Sequence, residues 1–176
     1  IIGVINSSIS LAITRTTTNI IGVIGTQTTI SSKAYNKALI SLSKNQSYEL
    51  ISVACPLFVP IVEEGLENTN ISQSIIEYYL HDMRIENIEQ LILGCTHYPI
   101  LLDDLNKFFN NKINILHSGP LVSKKLKSLL HSNNQNKPSV EYYVTDLPEY
   151  FQKSGSKFLN KKIEDVKKIT LSRNNK

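Results

Sequence analysis

The chain predicts an α/β protein built on a doubly wound parallel sheet, and three observations carry that prediction. Short β-rich apolar runs alternate with longer segments of helical period, four times over. The first three runs are almost continuously apolar, as strands covered on both faces of a parallel sheet are. Small, polar and chemically active residues gather where the runs stop, which is where open parallel sheets bind ligands.

Taken in order, Ile1-Ile2-Gly3-Val4-Ile5 reads as a strand-like run already under way, without an initiator Met, so the sequence reads as a fragment. It has neither the basic start nor the small-residue cleavage site of a signal peptide. Ile20 to Ile24 is the first strand. Ile30, Ala34, Ala38 and Leu42 then recur at i+4 steps, the signature of a helical face. Leu50 to Ala54 is the second strand, and Ile71, Ile75, Tyr79 and Met83 mark the next helix. Leu91 to Leu93 is the third strand, followed by a stripe of Leu101, Leu105, Phe108 and Phe109. Ile113 to Leu116 is the fourth, and the helix after Gly119 carries Val122, Leu126, Leu129 and Leu130. The polar stretch Ser132 to Lys137 breaks the pattern as a loop or a domain crossing. Val140 to Val144 is a fifth strand candidate, and no internal repeat is visible.

Composition narrows the function classes. The 176 residues suffice for one α/β domain, or for one domain and part of another. An apolar fraction of 41% with 19% charged residues is that of a folded globular chain. Thr, Asn, Ser or Lys interrupts every apolar run before it reaches the ~18 residues a membrane helix requires, so no membrane partner is expected. Two cysteines, Cys55 and Cys95, do not make a disulfide scaffold, and a reduced cytoplasmic pair is the expectation. The net charge of +4 is local, since residues 151–176 hold seven Lys and one Arg against Glu164 and Asp165. A basic stretch with few aromatics reads as a solvated tail or helix face, and nucleic acid is not an expected partner.

The ends of the strands hold the candidate chemistry. After the first strand comes Gly25-Thr26-Gln27-Thr28-Thr29, and after the second Cys55-Pro56, with Glu63 and Glu64 soon following. After the third comes Gly94-Cys95-Thr96-His97-Tyr98-Pro99, and after the fourth Ser118-Gly119-Pro120. Gly94 allows a sharp turn and Pro99 suits the first turn of a helix, which sets Cys95 close to a helix N-terminus. Free N–H groups there favour an anionic thiolate, and His97 can polarise the thiol or donate to an anionic ligand. The plainer alternative makes Cys95 a small buried apolar residue and His97 a satisfied loop imidazole. Thr26 and Thr29 would then cap the following helix, and Glu63 would be a solvated acid. His81 and His131 read as surface residues.

Four blocks in a fixed order tip the balance. Leu91-Ile92-Leu93-Gly94-Cys95-Thr96-His97-Tyr98-Pro99-Ile100-Leu101 resembles the second cysteine motif of the bacterial glutamate racemases, in the cofactor-independent aspartate/glutamate racemase family. Gly22 to Ile30 is similar to that family's Gly-Thr-x-x-Thr-Ile segment. Ala54 to Gly65 is similar to its Cys-Pro-x-Phe-Val-Pro block. Tyr143 to Glu149, with Phe151 and Gly155, resembles its closing segment.

The resemblance implies inversion of the α-carbon of free glutamate by two thiols on opposite faces, supplying D-glutamate for peptidoglycan. It implies no cofactor and no metal, a cytoplasmic location and glutamate as the small-molecule partner, and it leaves a homodimer of the full-length form open. Cys95 would be one acid/base, assisted by His97, with Glu63 positioning His97 or the substrate ammonium. Thr26, Thr29 and Thr96 would bind substrate, and Cys55 would be structural. Residues 6–117 would form the complete second α/β domain of a two-domain racemase, with 1–5 and 118–176 an incomplete part of the first. The family's Asp-Ser-Gly loop and its Cys-Asn-Thr motif, which bears the other cysteine, have no counterpart in these residues. His117 stands where relatives commonly carry an acid. Two alternatives remain at this point: a catalytically inactive or ligand-binding remnant, and a related aspartate racemase.

Overall fold

A computed structural model describes residues 2–44, 46–85, 87–129 and 139–171, apart from the side chains of residues 84 and 85. Leu130, His131 and the Ser132 to Lys137 stretch lie outside the described residues. The chain forms two compact units, Ile1–His131 and Ser132–Lys176.

The first unit holds a four-stranded parallel sheet. Its strands are β1 (Ile20–Gly25), β2 (Glu49–Ala54), β3 (Gln90–Leu93) and β4 (Asn114–His117), arranged in the order β2-β1-β3-β4. Ile21 pairs with Leu50 on one side and Gln90 on the other, and Leu93 pairs with His117. The central strands β1 and β3 are almost wholly buried, which is why their sequences are apolar without alternation.

Helices cover both faces. On one, α1 (Ile5–Arg15) and α3 (Ala34–Leu42) pack Ile9, Ala12, Tyr35, Ala38 and Leu39 against Ile21, Val23, Ile92 and Leu116. On the other, α4 (Phe58–Glu63), α5 (Asn70–Ile85) and α6 (Leu102–Phe108) enclose Ile24, Leu91 and Leu93. The β1–β2 connection runs over the first face and the β3–β4 connection over the second. The sheet is therefore doubly wound, as the sequence predicts.

Several local expectations are corrected. The opening residues do not continue as a strand. Ile5, Ile9 and Ala12 fall on one side of α1, and burying that side overrides the β preference of isoleucine. The stripe Ile30–Leu42 is not one helix, because Lys33 adopts a left-handed φ of 53° and separates α2 (Gln27–Ser31) from α3. That break turns α3 by one position, so Tyr35 and Leu39 face the core beside Ala38. In α5 the buried side is Ser72, Ile76, Leu80 and Met83, while Ile71 is 53% exposed. The helix α7 (Ser118–Leu129) buries none of its residues, and Leu126 and Leu129 are exposed.

At the amino ends of the strands, Glu89 ties the α1–β1 loop to the start of β3. Its carboxylate accepts from the Thr17 hydroxyl at 2.6 Å, the Thr16 hydroxyl at 3.3 Å, and the Thr17 and Thr18 backbone N–H groups. These bonds, the Thr17 hydroxyl foremost, hold the Glu89 carboxyl below its ordinary range. Within α6, buried Asp104 accepts from the Asn68 N–H at 2.8 Å and so ties the loop between α4 and α5 to that helix.

The second unit is a small βαβ arrangement of β5 (Tyr142–Val144), α8 (Pro148–Leu159) and β6 (Val166–Lys168), with the two strands parallel. Gln152 of α8 donates to the Ile163 carbonyl at 2.8 Å, and Ile163 is buried. The basic stretch, expected as a solvated tail or helix face, places Lys153 and Lys157 exposed on α8, and its Lys167 and Lys168 lie on a strand. Lys167 and Lys168 meet Glu141 at 3.4 Å and Asp146 at 3.1 Å across that small sheet.

Candidate active site

All four strands of the large sheet are parallel, so their carboxyl ends share one edge. Adjacent β1 and β3 send their connections to opposite faces, and such a reversal opens a crevice between the two following loops. Those loops carry Thr26–Thr29 and Cys95–His97.

The β1 loop turns directly into α2. Thr26 is extended (φ −67°, ψ 162°) and caps that helix, its hydroxyl accepting from the Thr29 N–H at 3.3 Å. The two threonine hydroxyls face each other at 3.0 Å, both partly exposed. The capping geometry is therefore realised, and it sets both hydroxyls at the carboxyl edge of the sheet.

The β3 loop is anchored by its backbone. The Gly94 N–H donates to the Ile24 carbonyl at 2.7 Å, and on the other side of β1 the Cys55 N–H donates to the Gly25 carbonyl at 2.9 Å. A Cβ on Gly94 would come within 3.0 Å of the Ile24 carbonyl oxygen, 3.2 Å of the Tyr35 ring and 3.3 Å of its hydroxyl. Neither neighbour can yield, since one is sheet backbone and the other a buried ring. Gly94→Ala should therefore destabilise the chain by about 1–3 kcal/mol, the usual cost of overpacking, readable as a lower urea midpoint at unchanged slope.

Cys95, partly exposed, follows this pinned glycine. Its Sγ lies 3.9 Å from His97 Nδ1. His97 Nε2 in turn lies 3.5 Å from Glu63 Oε1, at the last turn of α4. A carboxylate on Nε2 favours the tautomer with its proton there, leaving Nδ1 as the acceptor that faces the thiol. The arrangement can move a proton to or from the sulfur. Thr96, between the two, is exposed. The helix after the loop is not a full α-helix at its start. It opens as a 3₁₀ turn over Tyr98–Leu101, with His97 at the cap position and Cys95 two residues ahead. The imidazole, rather than a helix end, is the group beside the sulfur.

Cys55 differs in every respect. It is fully buried in the apolar core, and burial pushes its thiol up to about 12. Two tyrosines flank the site without having been singled out by the sequence reading. Tyr35 lies against Gly94, and burial foremost holds its phenol above the ordinary range. Tyr98 lies inside the motif and donates to the Cys55 carbonyl at 2.8 Å. The rotation of α3 at Lys33, invisible in a periodicity count, hid the first. The second stood in plain view, but only the folded chain shows its partner.

Among the described residues, no three His, Cys, Asp or Glu side chains group as metal ligands would. No helix among them is long and apolar enough to cross a membrane.

No family model matches the chain. Individual proteins do. The chain is 38% identical over 164 residues to the glutamate racemase of Aquifex aeolicus, covering 93% of this sequence and 61% of that one. A glutamate racemase isoform of Bacillus anthracis, RacE1, superposes with a TM-score of 0.84 at 32% identity, over 97% of this chain and 64% of the other. The glutamate racemase of Francisella tularensis, solved in complex with D-glutamate, gives a TM-score of 0.82 at 35% identity, over 95% and 62% of the two chains. This chain belongs to the glutamate racemase family. It spans about three fifths of the length of the relatives it matches. The two-faced α/β sheet and its loop-borne edge are thus a racemase fold, with Cys95, His97 and Glu63 together on one loop and the helix beside it.

Proposed function

We propose that these residues supply one half of the active site of a cofactor-independent glutamate racemase that interconverts L- and D-glutamate in the cytoplasm and supplies D-glutamate for peptidoglycan. The observation that carries the reading is the run Cys95 Sγ, His97 Nδ1, His97 Nε2, Glu63 Oε1, with steps of 3.9 Å and 3.5 Å at the switch point of the sheet. In this reading the Cys95 thiolate removes the α-proton of one enantiomer, forming an S–H bond as the C–H bond breaks. For the other enantiomer the Cys95 thiol returns the proton to the carbanion. His97 buffers the charge on sulfur, Glu63 holds its tautomer, and Thr26, Thr29 and Thr96 offer hydroxyls and N–H groups to the carboxylates of glutamate. A thiol on the opposite face must come from outside these residues, because Cys55, the other cysteine here, is sealed in the core.

The domain reading follows the same logic. Residues 6–117 are the racemase's second domain, and 1–5 with 118–176 belong to its first. The lack of burial along α7 supports this, since an amphipathic helix with an uncovered face is built to be covered.

The test uses L-glutamate in deuterated water. With one accessible thiol, the 176-residue chain should remove the α-proton slowly and return a solvent deuteron to the same face, producing L-[2-²H]glutamate without D-glutamate. Exchange should vanish in Cys95→Ser. Rapid D-glutamate formation by this chain alone would contradict the need for two thiols. Exchange that survives the serine substitution would remove Cys95 from the mechanism.

A further inference from the structure

Glu63 and His97 sit on separate elements, 3.5 Å apart, and a buried contact joins those two elements. The Cys55 carbonyl stands at the turn that opens α4. It accepts twice, from the Phe58 N–H at 3.1 Å and from the Tyr98 hydroxyl at 2.8 Å, using both of its lone pairs. The Tyr98 ring meets the Phe58 ring edge-on, with centroids 5.2 Å apart and planes at 66°, and both side chains are fully buried. Tyr98 adjoins His97 in sequence. Phe58 begins the single short helix whose last residue is Glu63.

We infer that Tyr98 is a positioning residue, clamping the start of α4 to the Cys95 loop so that the Glu63 carboxylate stands opposite His97 Nε2. The clamp has a directional part, the phenol on the Cys55 carbonyl, and a packing part, the ring on Phe58. Burial holds the phenol far above its ordinary range, so it stays a donor at any pH the site works in. Phe58 is braced from behind by Tyr79 of α5, at 5.8 Å and 78°, so α4 cannot follow the loop if the clamp is cut. The inference rests on Glu63 and His97 acting as a pair in the racemase reading.

The measurement is the tautomer ratio of the His97 imidazole, read from its ring ¹⁵N shifts in the 176-residue chain on the alkaline side of the imidazole range. Assignment comes from the peak lost in His97→Gln. In the unaltered chain the Nε2–H form should dominate. Glu63→Ala should lower the Nε2–H to Nδ1–H ratio by about two- to fivefold, the range that a half-exposed pair supports. Tyr98→Leu, which removes both parts of the clamp, should lower it to the Glu63→Ala value, and Tyr98→Phe should fall between. A Tyr98→Leu chain that unfolds cooperatively in urea yet keeps the unaltered ratio overturns the clamp. Should Tyr98→Leu fail to fold, Tyr98→Phe decides, and an unaltered ratio there overturns it equally. If Glu63→Ala itself leaves the ratio unchanged, the pairing of Glu63 with His97 fails instead.

Discussion

Replacing Cys95 with serine in a racemase assembled around this chain should lower kcat for L-glutamate by about 10²–10⁴-fold, the usual worth of a positioned acid or base. Such an enzyme can be made by fusing the chain to the part of the Aquifex aeolicus racemase outside the match. The fusion should racemise glutamate where the chain alone does not. The expectation follows from what surrounds the sulfur. A thiol 3.9 Å from an imidazole nitrogen can hand its proton to that nitrogen, whereas an alcohol, a far weaker acid, does so poorly, so proton transfer stalls while the fold is untouched. KM should change less than kcat, because the substrate carboxylates are assigned to Thr26, Thr29 and Thr96 rather than to sulfur. A serine variant within threefold of its parent would mean that Cys95 takes no part in the proton transfer.

Alkylation separates the two cysteines by an equally large factor. In the folded chain at pH 8, iodoacetamide should modify Cys95 at least about 10³-fold faster than Cys55. Two effects multiply. A thiol pushed up to about 12 holds only about one part in 10⁴ as reactive thiolate at that pH, and Cys55 is also closed off from solvent. Cys95 is partly exposed and next to His97. Peptide mass spectrometry after timed quenching gives both rates in one experiment. In urea above the unfolding transition the two should converge, which shows that the protection belongs to the fold. Comparable native rates would place Cys55 on an accessible surface and remove the ground for calling it structural.

Much of the architecture was legible because parallel strands advertise themselves. Ile20–Gly25 and Gln90–Leu93 are buried along nearly their whole length, and a run of β-branched and aliphatic residues of that length has few other uses. The chemical residues were legible by position, since Gly94, Cys95 and His97 come directly after such a run. What misled was phase. Counting i+4 steps from Ile71 starts on an exposed residue and runs along the margin of the buried face of α5, where Ile75 and Tyr79 are partly buried and Met83 reaches the core. Counting across Lys33 merges two helices that a single left-handed residue separates. The opening residues looked extended because isoleucine favours strands locally, a preference that burial against α3 outweighs.

The sequence by itself determined the succession of strands and helices, the edge on which the candidate site loops fall, and the family to which their motifs point. It did so because burial on two faces and sharp turns each demand a narrow set of residue types. Only the tertiary structure decided that Glu63 meets His97, that Cys55 is sealed away while Cys95 is not, and that Tyr98 reaches the carbonyl opening α4. The two pairings join residues 34 and 43 positions apart along the chain, on elements whose separation is set by how side chains pack between them. Local sequence specifies an element and its faces. The distance between two elements is a property of the packed core.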